Sequence, residues 1–276
     1  MRIDTHQHFW KINDTDYPWI PDGSVIRRDF LPDDLAPLLE SCNLDASIAV
    51  QARQSAEETS WLLSLAEKHE TICGVVGWVP LADKLGEPYL EQFADHPKLV
   101  GMRHVVQGEP DDNFILREDF NKGVARLKHY GLVYDILIFA KHLRPTIEFV
   151  DLHPEQPMVL DHIAKPTIIP GKFDEEWKQG MLELGKRSNV YCKLSGMATE
   201  VRADSWDASL LEPYFEVALE AFGANRLVYG SDWPVCLLMT EYQQWYKTVE
   251  QFLSKLSDHE QTAIWSENAR QAYKMK

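Results

Sequence analysis

Two histidines one residue apart close the first strand-like stretch of the chain, in the run Asp4-Thr5-His6-Gln7-His8-Phe9-Trp10. Successive side chains of a strand point to opposite faces, so His6 and His8 share one face while Thr5, Gln7 and Phe9 take the other. Two imidazoles on one face can converge on a metal ion, on a proton in transfer or on a polarised carbonyl. Taken alone, the pair is better explained by solvation or by packing against backbone carbonyls, because an isolated H-x-H is a weak signal. Asp4 is expected on the same face one step deeper, either as a partner that fixes a histidine tautomer or as a structural residue.

The elements that must position such a pair recur along the chain. Apolar, β-rich runs are expected at 2–6, 46–51, 72–79, 99–105, 132–139, 157–163, 189–195 and 226–231. Stretches of helical character follow at 32–42, 56–69, 84–95, 117–130, 141–151, 173–187 and 206–222, and two more at 241–256 and 258–273 close the chain. Strand and helix in alternation predict a parallel sheet with helices outside, and eight such units in about 250 residues predict an α/β fold, a (β/α)8 TIM barrel in one domain over residues 1–276. The loop after the first strand, about residues 10–30, is long and carries Pro18, Trp19, Pro21 and Gly23, which suits a lid or pocket wall better than a tight connection.

A barrel of this kind does its chemistry at the C-terminal ends of the strands. Those ends are unusually polar here: His6 and His8, then Gln51 and Arg53, Trp78, Arg103 and His104, Tyr134 and Asp135, Asp161 with His162 and Lys165, Lys193 and Ser195, and finally Ser231, Asp232 and Trp233. Any one of these has a structural explanation, a capped carboxylate or a solvated lysine. As a set they favour function, because ionisable groups at buried strand ends need a compensating reason to be there.

Composition narrows the partners. With 45% hydrophobic residues the chain can bury a large core, and a net charge of −15 leaves no basic footprint for nucleic acid or an anionic membrane surface. No run of about 18 apolar residues is present, and the first twenty residues lack the apolar stretch of a signal peptide, so a cytoplasmic location is expected. Cys42, Cys73, Cys192 and Cys236 are scattered without C-x-x-C spacing and read as free thiols. Neither a phosphate-binding glycine loop nor a G-x-S-x-G elbow occurs, which argues against a nucleotide cofactor and against a serine esterase. A small-molecule substrate is expected, and a homo-oligomer is compatible with the sequence.

Five motifs in order, IDTHQHFW, GMRH, LDHIAKP, KLSG and YGSDWP, give the chain a resemblance across almost its whole length to the amidohydrolase superfamily, in its amidohydrolase-2 branch. Within that branch it is similar to sugar-lactone hydrolases of the L-fuconolactonase and L-rhamnonolactonase kind. The resemblance implies a (β/α)8 barrel, hydrolysis of the cyclic ester of a small sugar acid, and a site centred on His6, His8, His162 and Asp232. Two-metal members of the superfamily add a bridging lysine or glutamate after strand four and a histidine after strand five, where this chain has Arg103-His104 and Tyr134-Asp135. A guanidinium stays charged and cannot ligate, so a full two-metal cage is not expected. One zinc on His6, His8 and Asp232, with or without His162, remains chemically open, although the lactonases resembled are thought to require no metal.

The mechanism expected from these residues makes Asp232 a general base for water, with His6, His8, His162 and Arg103 polarising the lactone carbonyl. Gln51, Arg53, Trp78, His104, Lys165, Ser195, Trp233 and Trp19 are the candidates for contacts with the sugar. Two rival readings keep the barrel: a zinc-dependent amidohydrolase or decarboxylase acting on a small carboxylic acid, and a catalytically silent barrel that binds a sugar acid.

Overall fold

The computed structural model describes residues 1–275. Eight parallel strands form one sheet in the order β1 to β8: Ile3–Gln7, Ala46–Val50, Ile72–Gly77, Leu99–His104, Val133–Ile136, Met158–Leu160, Val190–Leu194 and Leu227–Tyr229. The two edges meet just beyond β8, where the Asp232 amide donates to the His6 carbonyl at 2.8 Å and the His8 amide to the Trp233 carbonyl at 2.7 Å. The fold is a (β/α)8 barrel. Helices α1 to α8 cover it in turn at Pro32–Ser41, Ala56–Lys68, Gly86–Phe93, Glu118–Leu127, Leu143–Leu152, Glu175–Leu184, Ala208–Phe222 and Tyr242–Leu253. The expected closing helix is broken into α9 (Asp258–Thr262), a π turn (Ala263–Glu267) and α10 (Asn268–Ala272). None of the described helices is long and apolar enough to cross a membrane.

Two apolar layers explain why these residues form these elements. The larger packs helices against the outer faces of the strands. The smaller fills the barrel itself with β-branched residues suited to a pleated surface, Ile3, Ile48, Val50, Val76, Val100, Val133, Val159 and Val228, and is plugged from below by Ala269, Ala272 and Tyr273. Two residues beyond Val133 and Val159 on the same faces come Asp135 and Asp161, and two beyond Tyr191 comes Lys193, so strand alternation alone lifts these charges into the barrel interior.

Several strands end earlier than their apolar runs suggest. β6 stops at Leu160 because residues 162–165 turn left-handed, and β5 stops at Ile136 rather than continuing to Phe139. β1 departs from simple alternation in a way that matters. Asp4 pairs with Ser47 but Gln7 with Ala49, so one extra residue bulges between them and shifts the faces. His6 and His8 do share the inner face, whereas Asp4 turns outward. Its carboxylate accepts from the Tyr242 hydroxyl of α8 at 2.9 Å, from the Ser231 amide at 2.9 Å and from the His6 backbone amide at 3.1 Å. It therefore ties β1 to β8 and α8 rather than fixing a histidine tautomer.

The long first loop is closed at its base by a backbone bridge between Trp10 and Phe30. Tyr17 reaches from it to Glu58 of α2, and Asp16 forms an ion pair with Arg53 beyond β2, so the loop is docked over the barrel mouth.

Candidate active site at the barrel mouth

A cavity of about 460 Å³ opens at the C-terminal ends of the strands, within the size range of small-ligand sites. On its floor, Asp232 Oδ1 stands 3.3 Å from His8 Nε2 and 3.8 Å from both His6 Nε2 and His162 Nε2. The backbone approach that permits this is tight, since a Cβ on Gly230 would stand 2.9 Å from the His6 Cβ. Asp232 itself has φ +58°, a left-handed conformation that aspartate tolerates better than most residues and that turns its carboxylate inward.

Each histidine is oriented by a partner. His8 Nδ1 lies 2.8 Å from the Val50 carbonyl, an acceptor only, so that nitrogen carries the proton and donates, leaving Nε2 to face Asp232 and His6. His162 Nδ1 is 2.8 Å from the Ser195 hydroxyl. His6 is packed between Arg103 Nη1, 3.1 Å from its Nε2, and Lys193 Nζ, 3.1 Å from its Nδ1, with Asp161 Oδ1 at 3.2 Å.

Beneath the histidines runs a buried chain of charges. Arg103 donates to Asp161 at 2.9 Å and to the Gln51 carbonyl and side-chain oxygen at 2.5 and 3.1 Å; Lys193 contacts Asp161 at 2.9 Å and Asp135 at 2.6 Å; and Tyr273 donates to Asp135 from below. Burial would raise the Asp161 carboxyl, but first Lys193 and then His6 and Arg103 hold it well below the usual carboxylate range. At Asp135 burial wins over Lys193, and the carboxyl is pushed up to about 6.

Burial likewise sets the protonation states at the cavity floor. It pushes the His6 imidazole well below its ordinary value, against the upward pull of Asp161, and the His162 imidazole down to about 3. At Asp232 burial acts upward, but the facing histidines, led by His162, keep the carboxyl below the usual range. A depressed carboxyl stays ionised, and a depressed imidazole stays neutral, to lower pH than in solution. Asp232, His6 and His162 are therefore expected to contribute no acid limb to kcat/KM above about pH 5. A limb near pH 6.5 that disappears in His162→Asn would show that His162 charges within the working range.

Of the residues proposed from the sequence, His8, Arg103, His162, Asp232, Arg53, Lys165 and Trp19 line this cavity, and His6 lies immediately beneath it. The side chains of five others do not reach it. Gln51 is buried behind Arg103. Ser195 sits behind His162. His104 follows Arg103 on β4 and so points to the opposite face, stacked on Phe114 with ring centroids 4.8 Å apart and bonded to Glu109; Trp78 turns with it, donating to His104 Nδ1. Trp233, next to Asp232, packs edge-on against Phe9 and Phe30. The cavity wall also holds Asp16, Ala52, Gln54, Val105, Gln107, Leu137 and Val235, none of them proposed from the sequence, and Pro18 of the loop expected to wall the pocket. Asp16 and Pro18 neighbour Trp19 in the long loop, a signal available in the sequence; the others follow strand ends at positions whose direction alternation does not determine.

His6 Nε2, His8 Nε2 and Asp232 Oδ1 form a triangle with edges of 3.2, 3.3 and 3.8 Å, whose centre lies about 2.0 Å from each corner, the usual zinc–ligand distance. His8 presents a lone pair there when neutral, so three acceptors converge and a single cation fits between them once the Arg103 guanidinium, 3.1 Å from His6 Nε2, turns aside. A second group, His6 with Asp161 and His162, shares His6. Its Asp161 is already engaged by Arg103 and Lys193, which leaves no comparable opening for a second ion.

Comparison with known proteins covers the whole chain. The family model described as amidohydrolase (Amidohydro_2) matches residues 3–275. An L-fucono-1,5-lactonase of Burkholderia multivorans is 42% identical, with 99% of this chain and 96% of that protein aligned, and an L-fucono-1,5-lactonase of Burkholderia ambifaria is 34% identical over 100% and 96%. A crystal structure of an amidohydrolase from Burkholderia multivorans with bound zinc superposes with a TM-score of 0.95 at 41% identity, covering 100% of both chains.

Proposed function

Because the chain belongs to the amidohydrolase family, we propose that it is a lactone hydrolase that opens the ring of a sugar-acid lactone of the L-fucono-1,5-lactone kind. The observation that carries this reading beyond kinship is the cavity floor, an ionised carboxylate facing three histidine nitrogens with a buried guanidinium beside them.

Asp232 takes a proton from water as the water oxygen attacks the lactone carbonyl. The carbonyl oxygen becomes negative, and Arg103 donates to it together with His162, whose Nε2 carries the proton when Nδ1 accepts from the Ser195 hydroxyl, while His6 Nε2 and His8 Nε2 present lone pairs that orient the attacking water; one good donor contributes about 3–4 kcal/mol in known systems. Collapse of the tetrahedral state breaks the bond to the ring oxygen, which receives the proton back from Asp232, and the product is an open hydroxy acid. Arg53, Lys165 and Trp19 on the walls supply cationic donors and an aromatic face for the sugar hydroxyls and ring. Acid release from a panel of five- and six-membered sugar lactones tests the reading. Turnover of one or more supports it, and carbon dioxide release from small aromatic or aliphatic acids in place of lactone opening supports the decarboxylase alternative instead.

If zinc is bound, His6, His8 and Asp232 hold it, and it supplies Lewis-acid polarisation of the carbonyl. We propose that it is not required. Arg103 already brings a positive charge within 3.1 Å of His6 Nε2, and a lactone is a more reactive ester than the amides for which a metal is recruited. Protein stripped with a chelator, its zinc content checked by elemental analysis, is expected to keep kcat/KM within about threefold of the zinc-loaded protein, a difference worth about 0.6 kcal/mol. Activity that follows zinc stoichiometry would overturn this part of the reading.

A further inference from the structure

Between β6 and α6 the backbone does something that L-residues avoid. His162, Ile163, Ala164 and Lys165 have φ of +53°, +47°, +61° and +48°, four consecutive non-glycine residues in the left-handed region, one of them β-branched. Left-handed backbone is unfavourable at every such residue because Cβ crowds the following carbonyl, and it persists only where the surroundings hold it. In a tight turn, residues three apart fall on the same side. Here that brings His162 and Lys165 together on the cavity wall, which a continued strand, whose side chains alternate, would not do.

What holds the turn lies outside the cavity. The Trp177 indole N–H, buried in α6, donates to the Ile163 carbonyl at 2.7 Å. Trp177 is itself fixed, because its backbone amide is capped by Asp174 at 3.0 Å. The turn closes on itself through the Lys165 amide and the His162 carbonyl at 2.8 Å. On the far side the His162 ring lies close against Gly196, where any Cβ would come within 2.7 Å of the ring, and Ser195 holds Nδ1. The ring is wedged from β7 and the turn is tethered from α6.

We propose that Trp177 is a positioning residue for the reaction, acting through the left-handed turn to place His162 against the reacting carbonyl and Lys165 against the sugar. The proposal rests on the lactonase reading, since it needs a reaction in which those two residues touch substrate. A residue acting on both should move both steady-state constants, kcat through His162 and KM through Lys165.

The experiment compares full-length wild type with Trp177→Phe, Ala164→Gly and the double variant on L-fucono-1,5-lactone, with a thermal melt of each. Displacing a reacting group by about 1 Å can cost a hundredfold. Trp177→Phe, which keeps an aromatic ring and loses the N–H, is expected to lower kcat/KM by about 10- to 100-fold, divided between a lower kcat and a higher KM. Glycine takes positive φ without a Cβ clash. Ala164→Gly alone is therefore expected to keep wild-type kinetics and raise Tm by about 1–3 °C, and the double variant to recover to within about threefold of wild type because the turn no longer needs its tether. A packing role for Trp177 would not be rescued by a glycine in another element. Wild-type kinetics in Trp177→Phe, failure of rescue, or an unchanged or lowered Tm in Ala164→Gly overturns the proposal, and the last of these decides even where Trp177→Phe does not fold. Absence of turnover by the wild type would instead overturn the lactonase reading.

Discussion

Asp232→Asn is expected to lower kcat/KM for L-fucono-1,5-lactone by about a thousandfold, within the range that general-base removal costs in other enzymes. The substitution keeps the shape and removes the charge and the basic oxygen. The carboxylate is 3% exposed and faces His6, His8 and His162, so no other carboxylate can take its place on the cavity floor; Asp161 lies deeper and is bound by Arg103 and Lys193. The Asp232 backbone amide, which closes the barrel onto His6, is untouched, so the variant should melt near wild type. Steady-state kinetics on chelator-treated wild type and variant provide the check, because a loss of the same size without metal cannot be a loss of zinc affinity. Residual activity above about a tenth of wild type would move the base elsewhere, with His8 Nε2, 3.3 Å away, as the next candidate.

Lys193→Met is expected to cost about 3–5 kcal/mol of folding stability, because it removes the shared cation from two buried carboxylates and leaves both in the barrel interior. Lys193, Asp135 and Asp161 are each fully buried, and the ammonium lies 2.6 Å from the first carboxylate and 2.9 Å from the second. Methionine matches the length of the stem, so packing is nearly conserved and the loss reports on charge. Urea unfolding followed by fluorescence measures it. Adding Asp135→Leu should recover part of the loss, since the one carboxyl left without a cation is then gone while Asp161 keeps Arg103. A loss below 1 kcal/mol in the single variant would mean that the network relaxes or admits water. Since Lys193 also touches His6 Nδ1, kcat should fall in the same variant under conditions where it remains folded.

Much of this arrangement is legible in the residues, and the places where it is not share a physical cause. The eight apolar runs and the helices between them predict the barrel because their periodicity is strong, and His6, His8, His162, Arg103 and Asp232 follow from it as strand-end residues. What alternation cannot supply is local backbone irregularity. The β1 bulge sends Asp4 outward to Tyr242 although it stands two residues before His6. The left-handed turn at 162–165 lies in what reads as the end of a strand, with no glycine to mark it. Proximity in sequence also misleads at the strand ends: His104 and Trp233 adjoin Arg103 and Asp232 and for that reason face away from them. Asp135, Asp161 and Lys193 are visible as strand-end charges, but their mutual pairing is a property of three strands seen together.

The most direct test is the initial rate of acid release from L-fucono-1,5-lactone, followed with a pH indicator, at increasing protein concentration and against spontaneous ring opening in the same buffer. A rate proportional to enzyme, saturating with lactone and abolished in Asp232→Asn, is the predicted result. A rate that never exceeds spontaneous opening, for this lactone and for its epimers and ring-contracted isomers, would contradict the assignment of lactone hydrolysis to this site.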